Sequence, residues 1–245
     1  MFTAVPVRAP VELKPRDGVS ALLWLPLVGG LTGAFAALPL VAILHWAPHA
    51  AALGAVLAVG LMAALTRGLH LDGLADTADG LGSRAPGERA LQIMRQSDIG
   101  PFGVIALIVV LAADITAFAV TRDGDWFPLL ALAVAAATGR VAAVCAAMRG
   151  VPPARTSGFG AIVADGVSPV AVAGWILAVL GVGATLAAAS GTPIAWILGP
   201  QCAALVVAHV ARLHVVRRVG GMTGDVFGAL IEIGTAVTLV GMALR

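Results

Sequence analysis

Charged residues are scarce in this sequence: they make up 11% of its 245 residues, whereas hydrophobic residues make up 60%. Soluble domains contain about 25% charged and roughly 45 to 50% apolar residues. Because the mean hydropathy is also high, at +0.99, the composition excludes a large soluble domain and predicts an integral membrane protein. We expect a single membrane domain over residues 1–245 that lies in the lipid bilayer and has no nucleic-acid partner.

Cysteine is also scarce. Cys145 and Cys202 lie inside apolar runs without a metal-ligand neighbour at CxxC spacing, so we interpret both as core residues. An apolar stretch is missing from residues 1–18, which contain prolines and charges instead, and a cleaved signal peptide is therefore not expected.

Seven apolar stretches are candidates to cross a bilayer, whose hydrocarbon core of about 30 Å requires about 20 helical residues, although the second stretch is short and could continue into the polar segment after it. They cover residues 21–44, 50–66, 100–121, 127–148, 168–189, 193–211 and 226–244. The predicted fold is an all-α, polytopic membrane helical bundle of about seven transmembrane helices. Gly29 and Gly33 in the first span have the spacing that allows close contact between membrane helices.

Basic residues alternate from loop to loop. They concentrate in the N-terminal segment, which includes Arg8, and in the second, fourth and sixth loops. The other loops and the C-terminus contain only Arg122, offset by Asp123 and Asp125, and Arg245. Because translocation disfavours Lys and Arg in short loops, the pattern predicts a cytoplasmic N-terminus and cytoplasmic basic loops. We expect a multi-pass protein of the cell (inner) membrane.

The second loop, residues 67–99, contains three aspartates within eight residues. A helix over 70–82 would place Asp72, Asp76 and Asp79 on one narrow face. The residues predicted on its opposite, buried face are Leu71, Leu74, Ala78 and Leu81. A second amphipathic helix is predicted over 87–97, and Pro86 is well placed to start it.

Like charges at this spacing repel, and a cation should compensate them. Mg²⁺ takes carboxylate oxygens, and it usually binds through one or two carboxylates together with substrate phosphates. The acidic face therefore predicts a magnesium site. The alternative is a solvated helix face whose counter-charges are arginines of the same loop: Arg67, Arg84, Arg89 and Arg95.

Three motifs, in consistent order, carry a family resemblance. They are HLDGLADTADGL at 70–81, RALQIMRQSDIGPFGVIAL at 89–107 and GGMTGDVFGALIEI at 220–233. They resemble the HLDG-x-AD-x-x-DG, R-x-L-x-IM-x-DS-x-IG-x-x-G and GG-x-TGD-x-x-GA-x-x-E segments of the cobalamin synthase family, the adenosylcobinamide-GDP ribazoletransferases. The order of Asp and Ser in the second motif is changed here to QSD.

The resemblance implies a membrane phosphotransferase that acts last in assembly of the vitamin B12 nucleotide loop. Such enzymes join adenosylcobinamide-GDP to α-ribazole, or to its 5'-phosphate, release GMP and require Mg²⁺. Clustered aspartates suit a reaction at a diphosphate because cations must neutralise the phosphate oxygens, and clustered arginines suit an anionic substrate.

Residues in and near these motifs receive predicted roles. The predicted metal ligands are Asp72, Asp76, Asp79, Asp225 and Glu232, with Asp98 as a weaker sixth ligand. The predicted substrate-binding residues are Arg67, Arg89, Arg95, Gly221, Thr223 and Gly224, the last three because glycines and free N–H groups at a helix start bind phosphate. The predicted catalytic residues are His70, Asp76 and Arg140.

Several of these roles have alternatives. Asp225 and Glu232 lie seven residues apart and share a helix face, but Asp225 could instead cap its helix. Glu232 lies about two turns into the bilayer, where a charged group is costly, so its partner is expected in the active site. Arg140 is expected to point toward the cytoplasmic site rather than to pair with Asp114, which receives no role. His70 could be the general base or an interfacial histidine without chemistry.

Two other functions compete with the preferred one. An ion-coupled transporter would also place acids in its spans, but no inverted repeat is visible. A CDP-alcohol phosphotransferase-like lipid enzyme has a DG-x-x-AR aspartate signature that the 70–81 motif resembles in outline, but the Arg and the downstream spacing are missing here. The oligomeric state, including a homo-oligomer, is left open.

Overall fold

A computed structural model describes residues 14–121 and 126–245. Within these ranges the chain forms α-helices and no β-strand, which confirms the all-α prediction. The helices are α1 Pro15–Ala36, α2 Leu38–Trp46, α3 Ala51–Leu65, α4 Leu69–Gly82, α5 Gly87–Ile93, α6 Pro101–Val120, α7 Phe127–Ala146, α8 Phe159–Val163, α9 Pro169–Ser190, α10 Ala195–Val219 and α11 Gly224–Ala243. Four charged residues used to predict orientation lie outside the described residues: Arg8, Arg122, Asp123 and Asp125.

Seven helical segments of the described chain are long and apolar enough to cross a membrane, as predicted. The first joins α1 to α2, and the second joins a short 3₁₀ turn to α3; α6, α7, α9, α10 and α11 are the other five. The sixth predicted span ends too early, at residue 211, whereas α10 continues to Val219. Its last turn contains Arg217 and Arg218, which favour the negative end of a helix and extend the helix beyond its apolar part.

Two of the spans form the centre of the bundle. Most residues of α7 and α11 are buried, whereas the other five spans expose most of their apolar side chains to the surrounding lipid. Glycines allow the central helices to approach closely: a Cβ atom on Gly234 would lie 2.9 Å from Cα of Gly139. On α1, a Cβ atom on Gly33 would lie 2.7 Å from the carbonyl oxygen of Leu132 on α7. The predicted close contact at Gly33 is thus confirmed.

The acidic segment forms α4, which packs along α11 and α6. A Cβ atom on Gly73 would lie 2.6 Å from the carbonyl oxygen of Asp225, and one on Gly228 would lie 3.1 Å from Cα of His70. The first and third sequence motifs therefore meet backbone to backbone.

The predicted buried face of α4 was largely wrong. Leu74 is buried as expected, but Leu71, Ala78 and Leu81 are only half-buried. The other buried residues of α4 are His70, Gly73, Ala75, Thr77, Asp79 and Gly80. Close packing against α11 and α6 needs small residues, and a hydrophobic pattern does not reveal such a face. The second amphipathic helix is also shorter than predicted, because α5 ends at Ile93 rather than at residue 97.

The loop from residue 147 to residue 168 is held against the start of α11. The Met222 N–H donates to the Pro152 carbonyl and the Ala154 N–H donates to the Met222 carbonyl, both at 2.9 Å. A side chain on Gly221 would collide with the backbone of residues 152–154, so this contact requires glycine. The loop, α4, α5 and the start of α11 consequently lie at one end of the bundle.

Candidate active site

A cleft of about 350 Å³ lies where the starts of α4 and α11 meet the 147–168 loop. Asp72 lines it from α4, Thr223 and Asp225 line it from the start of α11, and Arg155 lines it from the loop. Acidic and basic side chains from three separate chain segments thus face one opening.

The acids of this end of the bundle influence one another. Asp76 lies one turn after Asp72 on α4 and is half-buried. Burial, followed by the negative charges of Asp72, Asp225 and Asp79, raises the pKa of Asp76 to about 7, while Arg155 opposes the shift. The carboxylates thus repel one another in addition to the effect of burial, and Arg155 opposes that repulsion.

Arg155 is the site residue that the sequence reasoning missed. Its Nη1 lies 3.6 Å from Oδ2 of Asp225, and its Nη2 donates to the carbonyl of Leu91 at 2.8 Å. Burial lowers the pKa of Arg155, and the charge of Arg95 lowers it further, while Asp225 opposes the shift. The sequence feature that could have indicated Arg155 is RTSGFG at 155–160. There a basic residue precedes two glycines in a loop between two spans.

The start of α11 shows which residue caps the helix. Thr223 is the N-cap: its hydroxyl accepts the Val226 N–H at 3.3 Å and donates to Oδ2 of Asp225 at 3.2 Å. The alternative that Asp225 is the N-cap is therefore wrong. Asp225 lies in the first turn, and its carboxylate faces the cleft together with Gly224.

Asp79 occupies a different position from the one predicted. Its Oδ2 accepts the Gly100 N–H at 2.8 Å and its Oδ1 accepts the Gly103 N–H at 2.9 Å. These two N–H groups belong to the start of α6, where a negative charge is favourable. Asp79 is thus buried as a cap for a neighbouring helix and does not share an exposed acidic face with Asp72.

His70 and Glu232 lie next to each other between α4 and α11. His70 Nδ1 is 3.7 Å from Oε1 of Glu232, and both ring nitrogens are buried without a hydrogen bond to the described residues. Burial, together with the charge of Arg140, lowers the pKa of His70 to about 3. The ring is therefore neutral near pH 7 and binds a proton weakly, so its role as general base stays a prediction.

Arg140 does not point toward the cleft, and that prediction was wrong. Its Nη1 donates to the carbonyl of Ala136 at 3.1 Å, back toward the preceding turn of α7. The side chain instead lines a separate internal cavity of about 30 Å³ with Asp114 and Glu232. A guanidinium inside the bilayer is costly unless a carboxylate lies near it, and the charge of Glu232 acts on Arg140. The structure thus places Asp114, unassigned from sequence, at the same cavity as Arg140 and Glu232.

The other predicted residues are less closely associated with the cleft. Arg67, Arg89 and Asp98 are exposed and do not line it. Arg95 is exposed but near enough for its charge to act on Arg155. Gly221 lies behind the cleft, in the contact with residues 152–154.

The predicted acids do not form a complete metal site by themselves. Across residues 14–121 and 126–245, no three His, Cys, Asp or Glu side chains converge on one position that could hold a metal ion. Asp72 and Asp225 nevertheless line the same cleft, with Asp76 close by. This arrangement suits a cation that takes one or two carboxylates and completes its coordination with phosphate and water.

Comparison with known proteins identifies relatives over nearly the whole chain. The family described as cobalamin-5-phosphate synthase matches residues 1–243. A protein of Frankia casuarinae named adenosylcobinamide-GDP ribazoletransferase is 40% identical over 256 aligned residues, which cover 100% of this chain and 92% of the relative. A protein of the same name from a Nocardioides species is 39% identical, and the alignment covers 100% of this chain and 95% of the relative. Another from Pseudomonas entomophila is 37% identical, and the alignment covers 99% of this chain and 95% of the relative. No solved structure matches.

Proposed function

The chain belongs to the cobalamin-5-phosphate synthase family, and we propose that it joins adenosylcobinamide-GDP to α-ribazole or α-ribazole 5'-phosphate. The products are adenosylcobalamin, or its 5'-phosphate, and GMP. The observation that carries this proposal is the meeting of Asp72, Asp225 and Arg155, from three chain segments, in one cleft. The family match favours neither the transporter nor the CDP-alcohol enzyme considered above.

The reaction exchanges one phosphorus–oxygen bond for another. A ribose hydroxyl oxygen of α-ribazole bonds to the phosphorus that carries cobinamide, and the bond from that phosphorus to the oxygen of GMP breaks. GMP leaves with the electron pair of the broken bond, and the hydroxyl proton passes to a base or to water. Positioning and charge stabilisation supply most of the acceleration in such transfers.

We propose that Asp72 and Asp225, assisted by Asp76, hold Mg²⁺ at the cleft. The cleft suits a cation because these acids repel one another and Arg155 compensates that repulsion only in part. When bound, the ion would supply positive charge to the diphosphate oxygens. Asp79 is not required for this role because both of its oxygens already bind backbone N–H groups of α6.

The anionic diphosphate would bind at the start of α11. The first N–H groups of a helix have no partner within the helix and attract anions. Gly224 begins α11 and lines the cleft beside Thr223, so a phosphate can approach the backbone there. Arg155 contributes a full positive charge on the loop side, and Arg95 adds a second one nearby.

The activity test uses the purified protein in lipid nanodiscs with adenosylcobinamide-GDP, α-ribazole and Mg²⁺. We expect release of GMP together with the completed corrinoid, and we expect chelation of Mg²⁺ to stop both. Asp225→Asn should lower kcat by at least about a hundredfold, the usual scale for loss of an essential charge-stabilising group. The matched control is Glu88→Gln, an exposed acid of α5 outside the cleft. Equal activity in both variants would contradict the assignment.

We also propose that the cleft faces the cytoplasm. The basic residues of the described chain favour this orientation, because nearly all of them lie at the end of the bundle that contains the cleft. In a background with Cys145→Ala and Cys202→Ala, His49→Cys should react with an impermeant maleimide in intact spheroplasts. Arg149→Cys should react only after permeabilisation. The opposite labelling pattern would reverse the proposed orientation.

A further inference from the structure

The wall of the cleft divides into two chemical parts. One part is polar and contains Asp72, Arg155 and Asp225. The other part is apolar, with Leu25 from α1, Phe159 from α8, and Phe227 from α11. An apolar wall adjoining a phosphate-binding part is the pattern of a site for a ligand with an aromatic group.

Phe159 is the more exposed of the two aromatic side chains of this wall. The chain turns at Gly158, which has φ of +90°, so that α8 begins next to α11. A Cβ atom on Gly160 would lie 2.6 Å from the carbonyl oxygen of Met222, which shows how closely α8 approaches the start of α11. The ring centroids of Phe159 and Phe227 are 5.9 Å apart, with an interplanar angle of 76°. This edge-to-face pair, together with the burial of Phe227, holds the half-buried Phe159 ring in place.

We propose that this apolar wall, centred on Phe159, binds the aromatic base of α-ribazole; the inference rests on the proposed function. The base of α-ribazole is a benzimidazole, whose ring surface is apolar and has few hydrogen-bonding atoms. Guanine, the other aromatic base of the reaction, carries several donors and acceptors, and aliphatic or phenyl side chains would leave them unpaired. The chemistry of the wall therefore favours the benzimidazole.

The continuity of the cleft supports the same choice. The ribose of α-ribazole links the base to the attacking hydroxyl, so the base must lie one sugar away from the reacting phosphorus. Phe159 lies four residues after Arg155 in the same loop, and both line the same cleft as Asp225. A base against Phe159 would thus present its ribose to the polar part of the cleft.

The test measures KM for each substrate separately in the Phe159→Leu variant in nanodiscs. We expect KM for α-ribazole to rise about tenfold, the scale of one lost base–aromatic stacking contact. KM for adenosylcobinamide-GDP should stay within about twofold of wild type. The matched control is Phe35→Leu on the exposed, lipid-facing side of α1, which should leave both constants unchanged.

A second measurement needs only the wild-type protein. The α-riboside of a benzimidazole is compared with the α-riboside of adenine as the attacking substrate, and we expect a higher KM for adenine because its polar edge would be unpaired. Equal KM values for the two ribosides would overturn the base site, as would a rise in KM confined to adenosylcobinamide-GDP in Phe159→Leu. Wild-type protein that releases no GMP would contradict the proposed function and the base site with it. If Phe159→Leu fails to fold, the riboside comparison decides alone.

Discussion

Arg155 Nη1 lies 3.6 Å from Asp225 Oδ2 and joins the 147–168 loop to the first turn of α11. The same guanidinium donates through Nη2 to the Leu91 carbonyl, which follows α4 in the chain. One side chain therefore connects this loop to the second motif, at Leu91 of α5, and to the third motif, at Asp225. Its remaining nitrogen, Nε, is buried without a hydrogen-bond partner among the described residues. Arg155 combines a structural contact with a charge that faces the cleft.

Replacement of Arg155 should weaken binding of the diphosphate substrate. In Arg155→Gln the positive charge beside Asp225 is lost, and we expect KM for adenosylcobinamide-GDP to rise at least about tenfold, or about 1.4 kcal/mol in binding free energy. Steady-state GMP release measures this change. Arg149→Gln in the same loop is the control, because Arg149 is exposed and does not line the cleft. A similar rise in both variants would show that general loop charge, rather than the Arg155 position, matters.

Replacement of Asp79 should affect stability more than magnesium binding. Asp79→Asn removes the negative charge and one acceptor at the start of α6, where hydrogen bonds to a charged group contribute about 1.5 to 3 kcal/mol. We expect a lower melting temperature with little change in the Mg²⁺ concentration needed for half-maximal activity. In Asp76→Asn we expect little change in the melting temperature and a higher Mg²⁺ concentration for half-maximal activity. If Asp79→Asn raises the Mg²⁺ requirement as much as Asp76→Asn does, then Asp79 is a ligand after all.

The sequence predicted the helices better than their contacts. Hydropathy locates spans because each helix must cover the hydrocarbon core with apolar residues, and this requirement acts on each helix separately. The boundaries failed at α10, where basic residues extend the helix past the apolar stretch. The periodicity of 70–82 correctly predicted α4, but it could not show that Asp79 meets Gly100, a contact between residues 21 positions apart.

The candidate site was predictable where chemistry is encoded in one segment. Asp72 was predicted from the clustered aspartates of 70–82, and Asp225 was predicted from its motif and from the helix face it shares with Glu232; both line the cleft. Arg155 was missed because its significance depends on a partner 70 positions later in the chain, and the local sequence shows only a basic loop residue. Arg140 was placed in the wrong direction because depth in a span does not reveal which way a long side chain extends.

The elevated pKa of Asp76 predicts a pH dependence. Because its value of about 7 lies above the value of 3.8 for an ordinary aspartate, the folded protein without metal binds a proton there that the unfolded chain releases. This contribution to stability is complete below pH 3.8 and is lost as the pH rises through 7. Mg²⁺ requires the deprotonated carboxylate, so the metal should stabilise the protein more at pH 8 than at pH 6.

The measurement is the shift in melting temperature on addition of Mg²⁺ at these two pH values. Asp76→Asn should abolish the difference between them, whereas Glu88→Gln should retain it. A shift of equal size at pH 6 and pH 8 in the wild-type protein would show that Asp76 does not titrate in this range or does not contact the ion.

The close approach of α4 to α11 can be tested at Gly73. A methyl group there would lie 2.6 Å from the Asp225 carbonyl oxygen, so Gly73→Ala must push the two helices apart or strain them. We expect a loss of about 1 to 3 kcal/mol in the free energy of unfolding. Because Asp72 and Asp225 lie beside this contact, kcat should also fall. Gly60→Ala on α3 is the matched control, since nothing lies within 4 Å of its added methyl group and alanine favours a helix. Normal activity in Gly73→Ala would mean that the two acids need not be held at this separation, which would remove the geometric basis for a metal shared by α4 and α11.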